Sequence, residues 1–139
     1  MPIEQYGFRY VGRWCLYDRN RSGIDFELQA FRQKRVVYAF LIGRSVMYLG
    51  ICENRKTTLT SRLSRYKHMQ GSGQNERVAG KIRTALIKKP VDIFALLPSK
   101  VIMFRRLQVD LVKGLEYPLI EKLKPHWNKS GTDNRGRRQ

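Results

Sequence analysis

The clearest rhythm of apolar and polar positions lies at residues 36–51. Val36-Val37-Tyr38-Ala39-Phe40-Leu41-Ile42 is an unbroken apolar run, Gly43-Arg44-Ser45 interrupts it, and Val46-Met47-Tyr48-Leu49-Gly50-Ile51 resumes it. Two β-prone runs joined by a short glycine-containing turn predict a hairpin. A three-residue turn over 43–45 sets Ile42 opposite Val46 and Phe40 opposite Tyr48. Side chains alternate with a period of two, so Tyr38 then shares a face with Tyr48; a four-residue loop would separate them.

Downstream the period changes. Leu59, Leu63, Tyr66 and Met69 recur at steps of four and three, one face of a helix, with Arg62 one turn from Tyr66 on its border. Gly71-Ser72-Gly73 breaks the chain, and Val78, Ile82, Ala85 and Leu86 outline a second amphipathic helix ending near Lys89-Pro90. Residues 91–97 read as a third strand. Upstream, residues 6–17 alternate in places and could supply a strand, whereas residues 19–34 mix charge with scattered apolar positions and read as a basic arm or loop.

The last element carries the most informative position. Leu111, Val112, Leu115, Leu119, Ile120 and Leu123 define an apolar helical face, and at about 100° per residue Glu116 projects near its centre. A carboxylate there is costly unless paired, protonated or bound to metal. Pro118 removes one backbone donor and is expected to kink or restart the helix. Pro125-His126-Trp127-Asn128 ends it, and residues 129–139 read as a basic flexible tail.

Composition adds a partner class. The 139 residues suit one domain, and 28 Lys+Arg against 11 Asp+Glu leave a formal charge of +17, far beyond what solubility needs. Such an excess points to a polyanion, nucleic acid ahead of lipid. The basic clusters Arg19-Asn20-Arg21, 32–35, Lys88-Lys89, Arg105-Arg106 and 135–138 together suggest a broad surface for a phosphate backbone. No run approaches the roughly 18 apolar residues of a membrane span, and the first ten residues lack the apolar core of a signal peptide, so a cytoplasmic location is expected. Cys15 and Cys52 match no zinc spacing and are expected as reduced thiols without a chemical role.

In order, Tyr38, Tyr48-Leu49-Gly50, Arg62 and Tyr66 on a helix, Glu116 on a later helix and Asn128 just beyond it resemble the GIY-YIG nuclease superfamily, particularly its compact phage and restriction endonucleases. The resemblance covers residues 36–128, leaving 1–35 as an N-terminal extension or DNA-contacting arm. The first signature triplet reads Val36-Val37-Tyr38 and keeps only its tyrosine; the second reads Tyr-Leu-Gly. Ile51 stands where some members carry a basic residue, a role left to Lys56 if it is needed. The resemblance implies an α+β fold with a small three-stranded antiparallel sheet flanked by helices, and a divalent metal on the glutamate.

Phosphodiester hydrolysis needs an oriented water, a proton acceptor, and positive charge where the phosphorane develops. On this resemblance Glu116 binds Mg2+ or Mn2+, hard cations that favour oxygen ligands. Arg62 contacts the scissile phosphate, and Tyr38, Tyr48 and Tyr66 position the water or pass on its proton. Asn128 tethers the helix end or the site, and Gly50 permits close backbone approach. Taken singly, Tyr38 and Tyr48 read as strand aromatics, Arg62 as a snorkelling cation, Asn128 as a helix cap and His68 as a surface residue; Glu116 alone resists such an account. The expected function is a metal-dependent endonuclease on double-stranded DNA, of restriction or phage-degradative type. One active site cuts one strand, so a homodimer or larger assembly is implied. The rival readings are a non-enzymatic nucleic-acid-binding protein and a structure-specific nickase.

Overall fold

The computed structural model describes residues 2–128; the expected basic tail at 129–139 lies outside the described residues. A short 3-10 helix, Ile3–Tyr6, precedes strands β1 (Arg9–Leu16), β2 (Ile24–Leu28), β3 (Val37–Ile42) and β4 (Ser45–Ile51). Helices α1 (Leu59–Lys67) and α2 (Gly73–Leu86) follow, then β5 (Val91–Leu96), a small hairpin of β6 (Met103–Phe104) and β7 (Leu107–Gln108), and α3 (Leu111–Leu123). The fold is α+β, with a fully antiparallel five-stranded sheet in the order β2-β1-β5-β3-β4.

The sheet is thus larger than the three strands expected. β1 pairs with β5, and β2, which lies inside the stretch read as an arm, pairs in turn with β1. Its signal was weak because an edge strand need be apolar on one face only: Ile24 and Leu28 are buried while Glu27 faces solvent. Trp14, opposite Phe26 in the register, packs edge-on against that ring and against Phe40, so the N-terminal segment belongs to the core.

Both faces of the sheet are covered. Tyr38, Phe40 and Tyr48 point into one apolar layer with Leu59, Leu63 and Tyr66 of α1 and Val78 and Ile82 of α2. Val37, Ala39, Leu41 and Leu49 point the other way, onto Val112, Leu119 and Ile120 of α3. Covering on both sides explains why β3 reads as an unbroken apolar run.

The β3–β4 hairpin reaches the expected facing by another route. Its turn has two residues, Gly43 and Arg44, with Gly43 at φ 60°, and Ile42 lies opposite Ser45 rather than Val46. Continued without a break, that register would set Tyr48 opposite Ala39 and turn its ring to the other face. A bulge at Met47 inserts one residue and restores the Phe40–Tyr48 pairing. The freed Met47 carbonyl accepts from the Trp127 amide at 2.6 Å, so the segment that follows α3 is fastened at the bulge.

α3 runs through Pro118 without interruption, so of the kink or restart expected there the restart does not occur. Pro118 and Gly114, whose carbonyl loses its helical donor there, are both exposed, so water can satisfy that oxygen. The β6–β7 hairpin was not foreseen, since residues 101–109 have no periodicity long enough to register.

Candidate active site

A cleft of about 400 Å³ opens beside edge strand β4, lined by Tyr38, Tyr48, Gly50, Glu53, Arg62 and Glu116 among others. It brings together side chains from both layers. β3 and β4 deliver the two tyrosines, α1 delivers Arg62, and α3 delivers Glu116 across the strand edge.

One wall is a chain of phenols. The Tyr38 and Tyr66 hydroxyls lie 2.6 Å apart, and Tyr66 donates to Tyr48 at 3.4 Å. With the Tyr66 hydrogen directed to Tyr48, the shorter bond is donated by Tyr38. Gln74 Nε2 also donates to the Tyr48 oxygen at 3.3 Å, so two donors converge there. Burial pushes Tyr38 and Tyr66 well above the ordinary phenol range, and both stay neutral. Tyr66 itself does not line the cleft; it acts on the cleft through Tyr48 and Arg62. Gly50 faces Tyr38 across the strands, and a Cβ on it would lie 2.5 Å from the Tyr38 hydroxyl. The close approach expected at Gly50 is that of the Tyr38 ring.

Arg62 belongs to the same wall. Its guanidinium sits 4.5 Å from the centre of the Tyr66 ring, and both terminal nitrogens donate to Asn75 Oδ1, at 3.3 and 3.4 Å. Asn75 is only 4% exposed and its amide donates to the Gln70 carbonyl at 2.6 Å. Burial works against the Arg62 charge, but the surrounding phenols more than offset this. Neither Asn75 nor Gln74 was singled out in the sequence, because two polar residues at a helix start look like solvated surface; only the unusual burial of Asn75 marks it.

The facing wall is different in kind. Glu116 is half-buried, and burial, reinforced by the Glu53 charge, pushes its carboxyl above the usual range against the opposing pull of Arg62 and Lys113. Among the described residues it has no hydrogen bond and no ion pair. Glu53, a second carboxylate on the cleft, is held by Lys113 at 3.3 Å. Among the described residues no group of three His, Cys, Asp or Glu side chains surrounds a common point. The donor set is therefore one unpaired carboxylate with a second nearby, which suits a hard cation that keeps waters and takes further oxygens from a bound substrate.

Arg35 joins the walls. It grips both Asp110 oxygens at 2.9 Å and donates to the carbonyls of Cys52 and Glu53, locking the β4–α1 connection to the start of α3. Asp110 also caps α3 by accepting from the Lys113 amide, and these bonds, that from Arg35 foremost, hold its carboxyl below the usual range. Arg35, counted in the sequence among phosphate-binding cations, is committed to this clamp.

Asn128 lies off the cleft. Its side chain accepts from the Leu49 amide and donates to the Leu49 carbonyl, both at 2.9 Å, pairing with the edge strand as a backbone unit would. That geometry is a tether behind Tyr48 and Gly50. Lys56 is exposed and does not line the cleft, whereas Arg65 does.

No protein-family model and no curated protein matches the sequence. Among solved structures, the chain is similar to a glutamate-to-alanine mutant of EndoII from bacteriophage T4, with a TM-score of 0.65 and 18% identity over 89% of this chain and 93% of that one. It is also similar to restriction endonuclease HPY188I, solved in complex with product DNA, with a TM-score of 0.54 and 14% identity over 86% of this chain and 76% of that one. Both are GIY-YIG nucleases, so the resemblance read from the tyrosines and the glutamate extends to the fold over most of the chain.

Proposed function

We propose that this chain is a metal-dependent endonuclease that hydrolyses phosphodiester bonds in double-stranded DNA, with Glu116 as the metal ligand and Arg62, Tyr48, Tyr38 and Tyr66 as the opposing catalytic wall. The observation that carries the proposal is a half-buried carboxylate with no protein partner among the described residues, lining the same cleft as an anchored guanidinium and a chain of phenols. The formal charge of +17 and the product DNA held by HPY188I support DNA as the substrate.

Each side chain has a task that follows from its surroundings. Arg62, stacked on Tyr66 and held by Asn75, presents a fixed positive charge to the phosphate as negative charge grows on it. Tyr48 accepts from Tyr66 and Gln74, leaving its oxygen on the cleft to orient the attacking water and, once its own proton has passed to solvent, to take the proton of that water as a phenolate. Tyr38 and Tyr66 stay protonated and supply the donor chain behind it. Glu116 would hold Mg2+ or Mn2+, with Glu53 lining the same cleft, and the ion would supply Lewis-acid stabilisation of the phosphate oxygens when bound. Asn128 keeps β4, and with it Tyr48 and Gly50, in place. The cleft holds one such set of groups, so cutting both strands calls for a second copy of the chain.

Supercoiled plasmid incubated with the protein in Mg2+ or in EDTA tests this. Magnesium-dependent linear fragments are the expected product. Nicked circles alone would point to a nickase, and DNA binding without any magnesium-dependent product would overturn the enzymatic assignment.

A further inference from the structure

The β6–β7 hairpin is out of keeping with the rest of the surface. Val101, Ile102, Met103, Phe104 and Leu107 are between 45% and 70% exposed, and the two strands pair only with each other. Two isolated strands gain little stability alone, and contiguous exposed apolar side chains mark a surface built for contact. The tip is Arg105-Arg106. Arg105 adopts φ 60°, a left-handed conformation that Gly or Asn would occupy at lower cost, and its guanidinium lies 5.5 Å from the centre of the Phe104 ring. A tip selected for turn stability would not carry arginine there. Residues 97–109 hold three cations and no carboxylate. Beside the hairpin runs a polar groove lined by Arg55, Lys100 and Gln108 and by Asp110, whose charge Arg35 offsets, and the β4–α1 connection that supplies Arg55 also supplies Glu53 and Asn54 to the cleft. Among the described residues Arg55, Lys100 and Arg106 have no ion-pair partner.

We propose that this hairpin is a DNA wedge: Phe104, beside its cross-strand neighbour Leu107, inserts against the bases of a duplex lying across the cleft, while Arg105 and Arg106 grip the phosphates on either side. The occupant is set by charge and position. A cationic tip around an apolar side chain complements a polyanion with a stacked interior, and the groove gives the backbone a cationic path toward Glu116. A second copy of the chain would bring two such tips of like charge together. The inference rests on DNA being the substrate, but not on its cleavage.

The test uses the whole protein in EDTA, where no metal-dependent cutting occurs. Closed-circular plasmid is relaxed by a metal-independent topoisomerase with the protein bound, and the topoisomer distribution is then read after its removal. A side chain that unstacks a base step unwinds the duplex, so the wild type shifts the distribution. Phe104→Ala loses the shift and weakens duplex binding about tenfold, the order of one lost aromatic contact to a base. Replacing Arg105 and Arg106 by Ala weakens binding to all sequences and lowers the salt slope by roughly two. Both variants alter exposed side chains, and unchanged melting curves establish that they fold.

Wild-type unwinding and affinity in Phe104→Ala would overturn the proposal. So would a change from dimer to monomer in sedimentation with DNA binding intact, which gives the hairpin to a second copy, or lost binding to anionic vesicles alone, which gives it to lipid. Unwinding by a wild type that never cleaves in Mg2+ would refute the nuclease reading and leave the wedge standing; cleavage without unwinding would do the reverse.

Discussion

Tyr38 and Tyr48 line one wall of the cleft with Tyr66 behind them, the three joined in a continuous chain of hydrogen bonds, and Arg62 is stacked and anchored beside them; Glu116 faces them without a partner among the described residues. The first wall was assembled by folding. Its three phenols are buried and joined by hydrogen bonds, which makes it rigid and contributes to stability. The second holds a charge that folding disfavours, visible as a carboxyl raised above its usual range. A site can carry such an unfavourable group when a ligand arrives to compensate it. The pairing of a finished half with an unfinished half is what separates this cleft from an ordinary polar pocket.

Substitutions that act on one wall at a time sharpen the contrast. The largest effect is expected from Glu116→Gln, which should reduce Mg2+-dependent cleavage by on the order of a thousandfold, as loss of a central catalytic group does, with duplex affinity in EDTA unchanged. The same variant should melt higher than the wild type near neutral pH. A carboxyl raised in the folded state favours folding only while protonated, so the wild type loses stability as pH climbs from the ordinary glutamate value through the raised one, and the glutamine variant should show no such limb. A melting temperature that falls in Glu116→Gln would mean the carboxylate is satisfied after all.

Next in size is Arg62→Ala, with a loss in kcat of about a hundredfold, comparable to removing one transition-state donor. If only KM rises, Arg62 binds substrate without aiding the chemistry. Asn75→Ala should cost roughly tenfold in kcat with little change in duplex affinity, since it removes the anchor of the guanidinium and leaves its charge. The smallest effect on chemistry and the clearest on folding is expected from Arg35→Ala, which cuts the clamp between the walls and should lower stability by about 1–3 kcal/mol. Asp110 is depressed by that clamp, so its contribution is full above the ordinary aspartate range and is lost as pH falls through its lowered value. Acid titrations of wild type and Arg35→Ala should therefore converge at low pH, and parallel curves would assign the clamp no such role.

How much of this was legible beforehand differs between the walls for physical reasons. Glu116 stood out because a helix repeats every 3.6 residues and a carboxylate in an apolar stripe violates the pattern. The tyrosines were placed on one face through the Phe40–Tyr48 pairing, although the actual turn is shorter and a bulge at Met47 makes up the difference. The bulge is fixed by the distant Trp127 amide, and no local pattern encodes a contact of that range. Asn75 and Arg35 were invisible for the same reason: each matters through partners far away in the chain or buried by tertiary packing. β2 was hidden because an edge strand with one wet face resembles a charged loop.

Manganese binding to the protein on duplex DNA, in an excess of uncleavable phosphorothioate duplex, addresses Glu116 most directly. The account predicts a tight Mn2+ site in the wild type and in Arg62→Ala, and its loss in Glu116→Gln. Equal manganese affinity in wild type and Glu116→Gln would contradict it.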